Sequence, residues 1–191
     1  LPLPDVAPRS TWRATIVDDS EKLSALVARL QETKLFALAA ITREEPEVGR
    51  VRARDATLCG LAIAMEPDEA FYLPFRASLG ANLLDKEDAL EKLRPALESP
   101  SIAKLGFELK YDAIALMTSG IQMRGLAFDV AIADYLALAG ATKRSIADVA
   151  SSYLDVKLFD LKSATGTGKK RVPLDFLAPE IIAQYALDTV L

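Results

Sequence analysis

Two almost unbroken apolar runs, LFALAAI at residues 35–41 and TLCGLAIAM at 57–65, limit the fold more than any other feature of the chain. Both have the length of a strand. A strand with one wet face alternates apolar and polar side chains, because successive Cβ atoms point to opposite sides. These runs do not alternate, so they read as strands covered on both faces, inside a sheet with helices packed on either side. EPD joins the second run to EAFYLPF at 69–75, and the pair reads as a hairpin. WRATIV at 12–17 is a further strand. Beyond residue 85 the pattern changes to helices alternating with the short strands IAKLGF and GLAFD. Strands first, then alternating helices and strands, predict an α/β domain with a mixed sheet.

Capping signals place the helices. Asp19 or Ser20 opens one with Leu23, Val27 and Leu30 on one face. Lys86–Leu97 is amphipathic through Ala89, Leu93 and Leu97, with Pro100 soon after it. ELKYDAIALMTSG ends at Gly120, a C-terminal cap. Asp129 caps VAIADYLALAG; SIADVASSYL is a further helix; the last begins near Pro179. Glu44–Asp55 and KSATGTGKKRVP read as loops, and residues 1–10, with three prolines, as a linker ahead of a domain at 11–191. GTGKK is not a phosphate-binding P-loop: Ser163 stands where that motif needs Gly, and Lys170 where it needs Ser or Thr.

Composition removes whole classes of chemistry. The chain is 191 residues long and 51% apolar, enough for one domain with a core. No apolar run approaches the roughly 20 residues of a membrane helix. There is no histidine, which excludes Ser–His and Cys–His catalysis and every histidine metal site. Cys59, the only cysteine, reads as a packed small hydrophobe, and a cytoplasmic compartment is expected. A net charge of −4 lacks the global basic field of a dedicated nucleic-acid binder, so any DNA contact is local or made by an attached domain.

Residues 104–140, KLGFELKYDAIALMTSGIQMRGLAFDVAIADYLALAG, supply a family signature. They resemble the 3′–5′ exonuclease domain of bacterial DNA polymerase I, of the family A polymerases, whose pattern is a helix opening N-L-K-Y-D followed by G-I-x-x-x-G-I-x-F-D. The likeness runs in order and spacing over nearly the whole chain and implies a ribonuclease H-like fold. In that family two divalent metals activate a water and stabilise the leaving oxygen of a phosphodiester. Their ligands are the acids of D-x-E at the end of the first core strand, the Asp of the second motif, and the Asp closing Y-x-x-x-D.

Set against that pattern, Phe36-Ala37-Leu38-Ala39-Ala40-Ile41 puts Ala39 and Ile41 where the first Asp and the Glu belong. Asp112 is kept, but Glu108 replaces the Asn before it. Tyr185 is kept, while Thr189 stands where the last Asp belongs. One carboxylate cannot hold two Mg²⁺ ions, which require several oxygen ligands. The resemblance therefore implies a catalytically inactive domain with no metal or cofactor of its own, Asp112 being at most a weak ligand. It would give structural support to DNA synthesis by a polymerase domain of the same chain. That parent would be a monomeric, cytoplasmic, bacterial enzyme using Mg²⁺ and binding DNA in replication and repair. Lys169, Lys170 and Arg171 are a basic run that could touch a phosphate backbone.

The alternatives are a weak, non-standard nuclease that uses Asp112, Asp188 and the loop acids Glu44, Glu45 and Glu47, or a module that holds single-stranded DNA or a nucleotide without cutting it. Trp12 reads as a packing anchor near the linker. Ile41 should pack against the 108–119 helix or the final helix, narrowing or covering the former metal site.

Overall fold

The computed structural model describes residues 11–45, 49–50, 52–138, 144–166, 168 and 171–191. The proposed linker at 1–10 lies outside them. In chain order the elements are β1 (Arg13–Ile16), α1 (Ser20–Glu32), β2 (Leu35–Thr42), β3 (Glu44–Glu45), β4 (Gly49–Arg50), β5 (Leu58–Glu66) and β6 (Glu69–Pro74). Then come α2 (Lys86–Leu97), β7 (Ala103–Gly106), α3 (Leu109–Met117), β8 (Leu126–Asp129), α4 (Val130–Ala137), α5 (Ile146–Leu154), α6 (Leu161–Thr165) and α7 (Pro179–Val190).

Six strands form one mixed sheet in the order β1-β6-β5-β2-β7-β8, with β3 and β4 making a separate two-stranded ribbon. The hairpin pairs β5 antiparallel with β6, and β5 is also antiparallel to β2. β7 and β8 extend the sheet in parallel, while β1 returns to lie parallel to β6 at the other edge. β2 is therefore an inner strand, as its unbroken apolar run requires. Phe36, Leu38 and Ala40 join Leu23, Leu26 and Leu30 of α1 and Leu93 of α2 in one core cluster. Ala39 and Ile41 point the other way, into a cluster with Ile182, Ala183 and Ala186 of α7. Small residues dominate that second face (Ala37, Ala39, Ala62, Ala64 and Ala70), which lets α7 lie close against the strands.

The helix starts follow the capping signals. Asp19, Asp85, Asp129, Ser145 and Asp160 each accept a hydrogen bond from a backbone N–H of the following first turn. In α1 the deeply buried residues are Leu23, Leu26 and Leu30, with Val27 packed at the margin. Gly120 ends the α3 segment at φ +81°. Gly125, at φ +69°, precedes β8 where an added Cβ would meet the Ile102 carbonyl at 2.4 Å. Beside it Lys104 of β7, fully buried, donates to the carbonyls of Ser99 (2.7 Å) and Ile102 (2.9 Å), pinning the turn into β7. Trp12 packs at the sheet edge against the cluster of Ala64, Ala70 and Leu187.

Some local expectations need correction. The stretch Glu44–Asp55, expected as plain loop, carries the β3–β4 ribbon and a 3₁₀ turn at Ala53–Asp55. KSATGTGKKRVP was expected as loop throughout, but α6 occupies its start, nucleated by the Asp160 cap; five residues are too few for periodicity to reveal. Glu108 is not helical: it sits at φ 60°, ψ 43° as the N-cap of α3. α4 ends at Ala137.

Candidate functional site

A cleft of about 410 Å³ opens at the C-terminal end of β2. Its walls include Ala39 and Ile41 from β2, Asp112 from α3, and Tyr185 and Thr189 from α7. All five positions singled out in the sequence are thus brought to one place. Strand alternation puts Ala39 and Ile41 on the same side, and helical spacing stacks Tyr185 above Thr189.

Each element is held for a local reason. The Asp129 carboxylate accepts from Glu108 N (3.1 Å) and Leu109 N (2.8 Å) at the start of α3, and also from Ala131 N (2.9 Å) and Ile132 N (3.4 Å) at the start of α4. One acid therefore caps two helices and fixes the turn that presents Asp112. Only the α4 cap was foreseen in the sequence. Tyr111 and Thr42 share a hydroxyl–hydroxyl hydrogen bond of 3.2 Å, tying α3 to the end of β2. Asp112 lies in the first turn of α3, where the helix dipole favours a carboxylate, and is only 2% exposed.

The lost ligand positions have other occupations. Ile41 is 2% exposed and packs with α7, the burial expected for it; the cleft beside it nevertheless stays open. Tyr185 is half-buried against the same cluster. The Thr189 hydroxyl donates to Ala186 O at 2.6 Å, back into its own helix. Asp188 does not line the cleft: it is buried and its carboxylate accepts the N–H of Phe159. Glu44 and Glu45 are described only as backbone of the ribbon, and Glu47 lies outside the described residues. Lys169 and Lys170 also lie outside them. Arg171 is half-buried, its N–H bonded to Gly168 O at 3.1 Å.

Arg144 is the functional candidate that sequence reasoning missed. It reaches the cleft from just ahead of α5, bonded to Asp134 Oδ1 (3.1 Å), Asp148 O (2.7 Å) and the Ser152 hydroxyl. The one signal for it was the Ser145–Asp148 capping box that follows, which marks Arg144 as the residue entering a helix.

The donor set does not fit a pair of divalent ions. Hard cations need several carboxylate or carbonyl oxygens about one site, and a two-metal centre needs them around ions about 3.5–4 Å apart. Of the four family ligand positions only Asp112 offers a carboxylate, with Glu108 as a second acid on the cleft wall and the Arg144 cation opposing a further positive charge. Among the described residues no group of three or more His, Cys, Asp or Glu is placed to hold a metal.

Residues 14–190 match the family described as 3′–5′ exonuclease of the A-type DNA polymerases. DNA polymerase I of Pseudomonas aeruginosa is 29% identical over 177 residues, covering 91% of this chain and 19% of its own length. The chain spans less than a fifth of the curated relatives it matches. Among solved structures, a Trypanosoma brucei RNase D–GMP complex superposes with a TM-score of 0.70 at 17% identity, over 92% of this chain and 53% of that one. Pol1 from M. smegmatis, solved with DNA primer-template and dNTP, gives 0.61 at 21%, over 91% and 25%. The structures establish the ribonuclease H-like, exonuclease-type fold; the family match, across almost the entire sequence, places this chain in the 3′–5′ exonuclease domain family of bacterial DNA polymerase I.

Proposed function

We propose that this domain has kept the exonuclease fold and lost hydrolysis, and that it serves as a structural support within a DNA polymerase I. The observation that carries this is the replacement of three of four metal-ligand positions by Ala39, Ile41 and Thr189, in a cleft where Ile41 is packed rather than hydrated. Two-metal stabilisation of the transferring phosphoryl group supplies most of the rate enhancement in such chemistry, so its loss removes activity rather than reducing it slightly. DNA binding and template-directed synthesis belong to the parent chain in this reading, and the bacterial cytoplasm is its compartment. The test is incubation of the purified protein with a 5′-labelled single-stranded oligonucleotide and Mg²⁺ or Mn²⁺. No shortening is expected. Shortening that Asp112→Ala abolishes would overturn the reading.

One observation favours a second reading: Glu108 and Asp112 share the cleft wall with Tyr185, two acids beside the tyrosine that orients water in the family. A weak nuclease built on them would need Glu108, so loss of a residual Mn²⁺-dependent activity in Glu108→Gln would mark it.

A further inference from the structure

We propose that the turn between α2 and β7 is a binding site for a primary ammonium cation, and that the chain fills this site with its own Lys104. Lys104 is fully buried on β7, a strand enclosed between β2 and β8. Its Nζ donates to Ser99 O (2.7 Å) and Ile102 O (2.9 Å). The ring of Phe36, its register partner on β2, has its centroid 5.5 Å from the same nitrogen, within the range at which a ring face attracts a cation. A Cβ on Gly125 would stand 2.4 Å from Ile102 O, 3.0 Å from Ser99 O and 3.3 Å from Pro100 O. Three carbonyls of one turn therefore converge beside β8, and only a glycine leaves them the room.

A lysine is almost never fully buried unless an acid pairs with it. Here burial is the one influence on the amine, which it lowers to about 8, and among the described residues no carboxylate offsets it. The group is still mostly protonated at pH 7. A buried charge without a counter-charge is costly, so other dipoles have to replace its water. An –NH₃⁺ group has three donors and no acceptor, and the turn meets it with carbonyl oxygens on one side and an aromatic face on another. An apolar side chain at 104 would fill the same space but leave the Ser99 and Ile102 carbonyls without this donor, which costs more than the hydrogen bonds themselves gain. The turn thus selects a cation, where the sheet would accept any large side chain. The cation also fixes the strand that leads into Phe107 and Glu108 of the cleft wall. This inference stands apart from the loss of hydrolysis and holds whether or not the cleft cuts DNA.

Chemical rescue tests this. Lys104→Ala removes the ammonium group and its stem, and n-propylammonium chloride supplies both. At pH 7, and at about ten times its Kd, n-propylammonium should raise the Tm of Lys104→Ala by about 3–6 °C beyond its effect on the unaltered protein. The neutral isostere n-propanol and the donor-free cation tetramethylammonium should each give less than about 1 °C. No rescue by n-propylammonium, or equal rescue by n-propanol, would overturn the proposal, the second in favour of stem packing alone. Lys104→Met keeps the volume and removes the charge, and it should lose about 5 °C or more of Tm; an unchanged Tm would also overturn it. Should Lys104→Ala not fold, ¹³C NMR of the unaltered, lysine-labelled protein decides: a Lys104 amine charged at pH 7 is expected, and a neutral amine there would sink the proposal.

Discussion

Restoring the family's acids to this cleft, as Ala39→Asp, Ile41→Glu and Thr189→Asp together, should destabilise the domain without returning full catalysis. Ile41 is 2% exposed among Ile182, Ala183 and Ala186. Removing its side chain from that contact forfeits about 1.5–3 kcal/mol of burial. The introduced carboxyl would sit beside buried Asp112 and near Glu108, so desolvation and like charge both oppose its ionisation. Together these give a loss of roughly 3–5 kcal/mol near neutral pH, in the range of severe core mutations. For a chain of this size each kcal/mol lowers Tm by about 2–4 °C, so a drop of roughly 6–20 °C is expected. The loss also has a sign in pH. A carboxyl whose folded pKa is raised costs nothing while protonated in both states, and its penalty grows as pH rises through that pKa. The deficit relative to the parent protein should therefore be smaller at pH 4.5 than at pH 7.5. Thermal and urea unfolding at both pH values, with and without Mg²⁺, read this directly. A triple variant within about 1 kcal/mol of the parent protein, stabilised by Mg²⁺ and cutting single-stranded DNA, would refute the account of Ile41 as a packing residue.

Three more outcomes follow from particular contacts. Asp129→Ala should cost roughly 2–3 kcal/mol in urea unfolding, about twice a single N-cap, because it releases N–H groups of both α3 and α4; a loss below about 0.5 kcal/mol would show that the shared cap is idle. Tyr72→Phe should leave stability unchanged or raise it by up to about 1 kcal/mol, since the Tyr72 hydroxyl is buried with no hydrogen-bond partner among the described residues; a clear drop in Tm would contradict this. Burial, and secondarily the Asp175 charge, push the Cys59 thiol up to about 12 from 9. The folded state thus holds a proton that the unfolded chain releases: stability from this group is full below pH 9 and falls as pH rises towards 12, by at most about 1.4 kcal/mol per pH unit. Cys59→Ala should flatten that slope in unfolding curves at pH 8 to 10, and an unchanged slope would assign it to other groups.

The route from sequence to cleft was short where the information is local. The unbroken apolar runs required strands covered on both faces, and β2 and β5 are inner strands. N-caps at Asp19 (with Ser20 as the other candidate) and Asp129 and the C-cap at Gly120 are read from single residues because each bonds its own neighbours or relieves its own backbone. The family motif carried Ala39, Ile41, Asp112, Tyr185 and Thr189 to one cleft before any coordinate did. It failed on α6 and on the β3–β4 ribbon, elements too short to show a period.

What the sequence determined by itself was the type and place of the longer elements and the residues that stand where ligands would be needed. These are written within about one helical turn or one strand, the range of capping and side-chain alternation. Tertiary structure alone decided which faces met. Ile41 finds its partners in α7, some 140 residues on; Asp129 serves α3 as well as α4 because β8 runs beside β7; Arg144 turns into the cleft on the bonds of α4 and α5; and α4, apolar enough to read as a buried helix, is left with Ile132, Tyr135 and Leu136 facing outward. Hydrophobic burial is non-directional, so periodicity says that a face must be covered and only the assembled chain says by what.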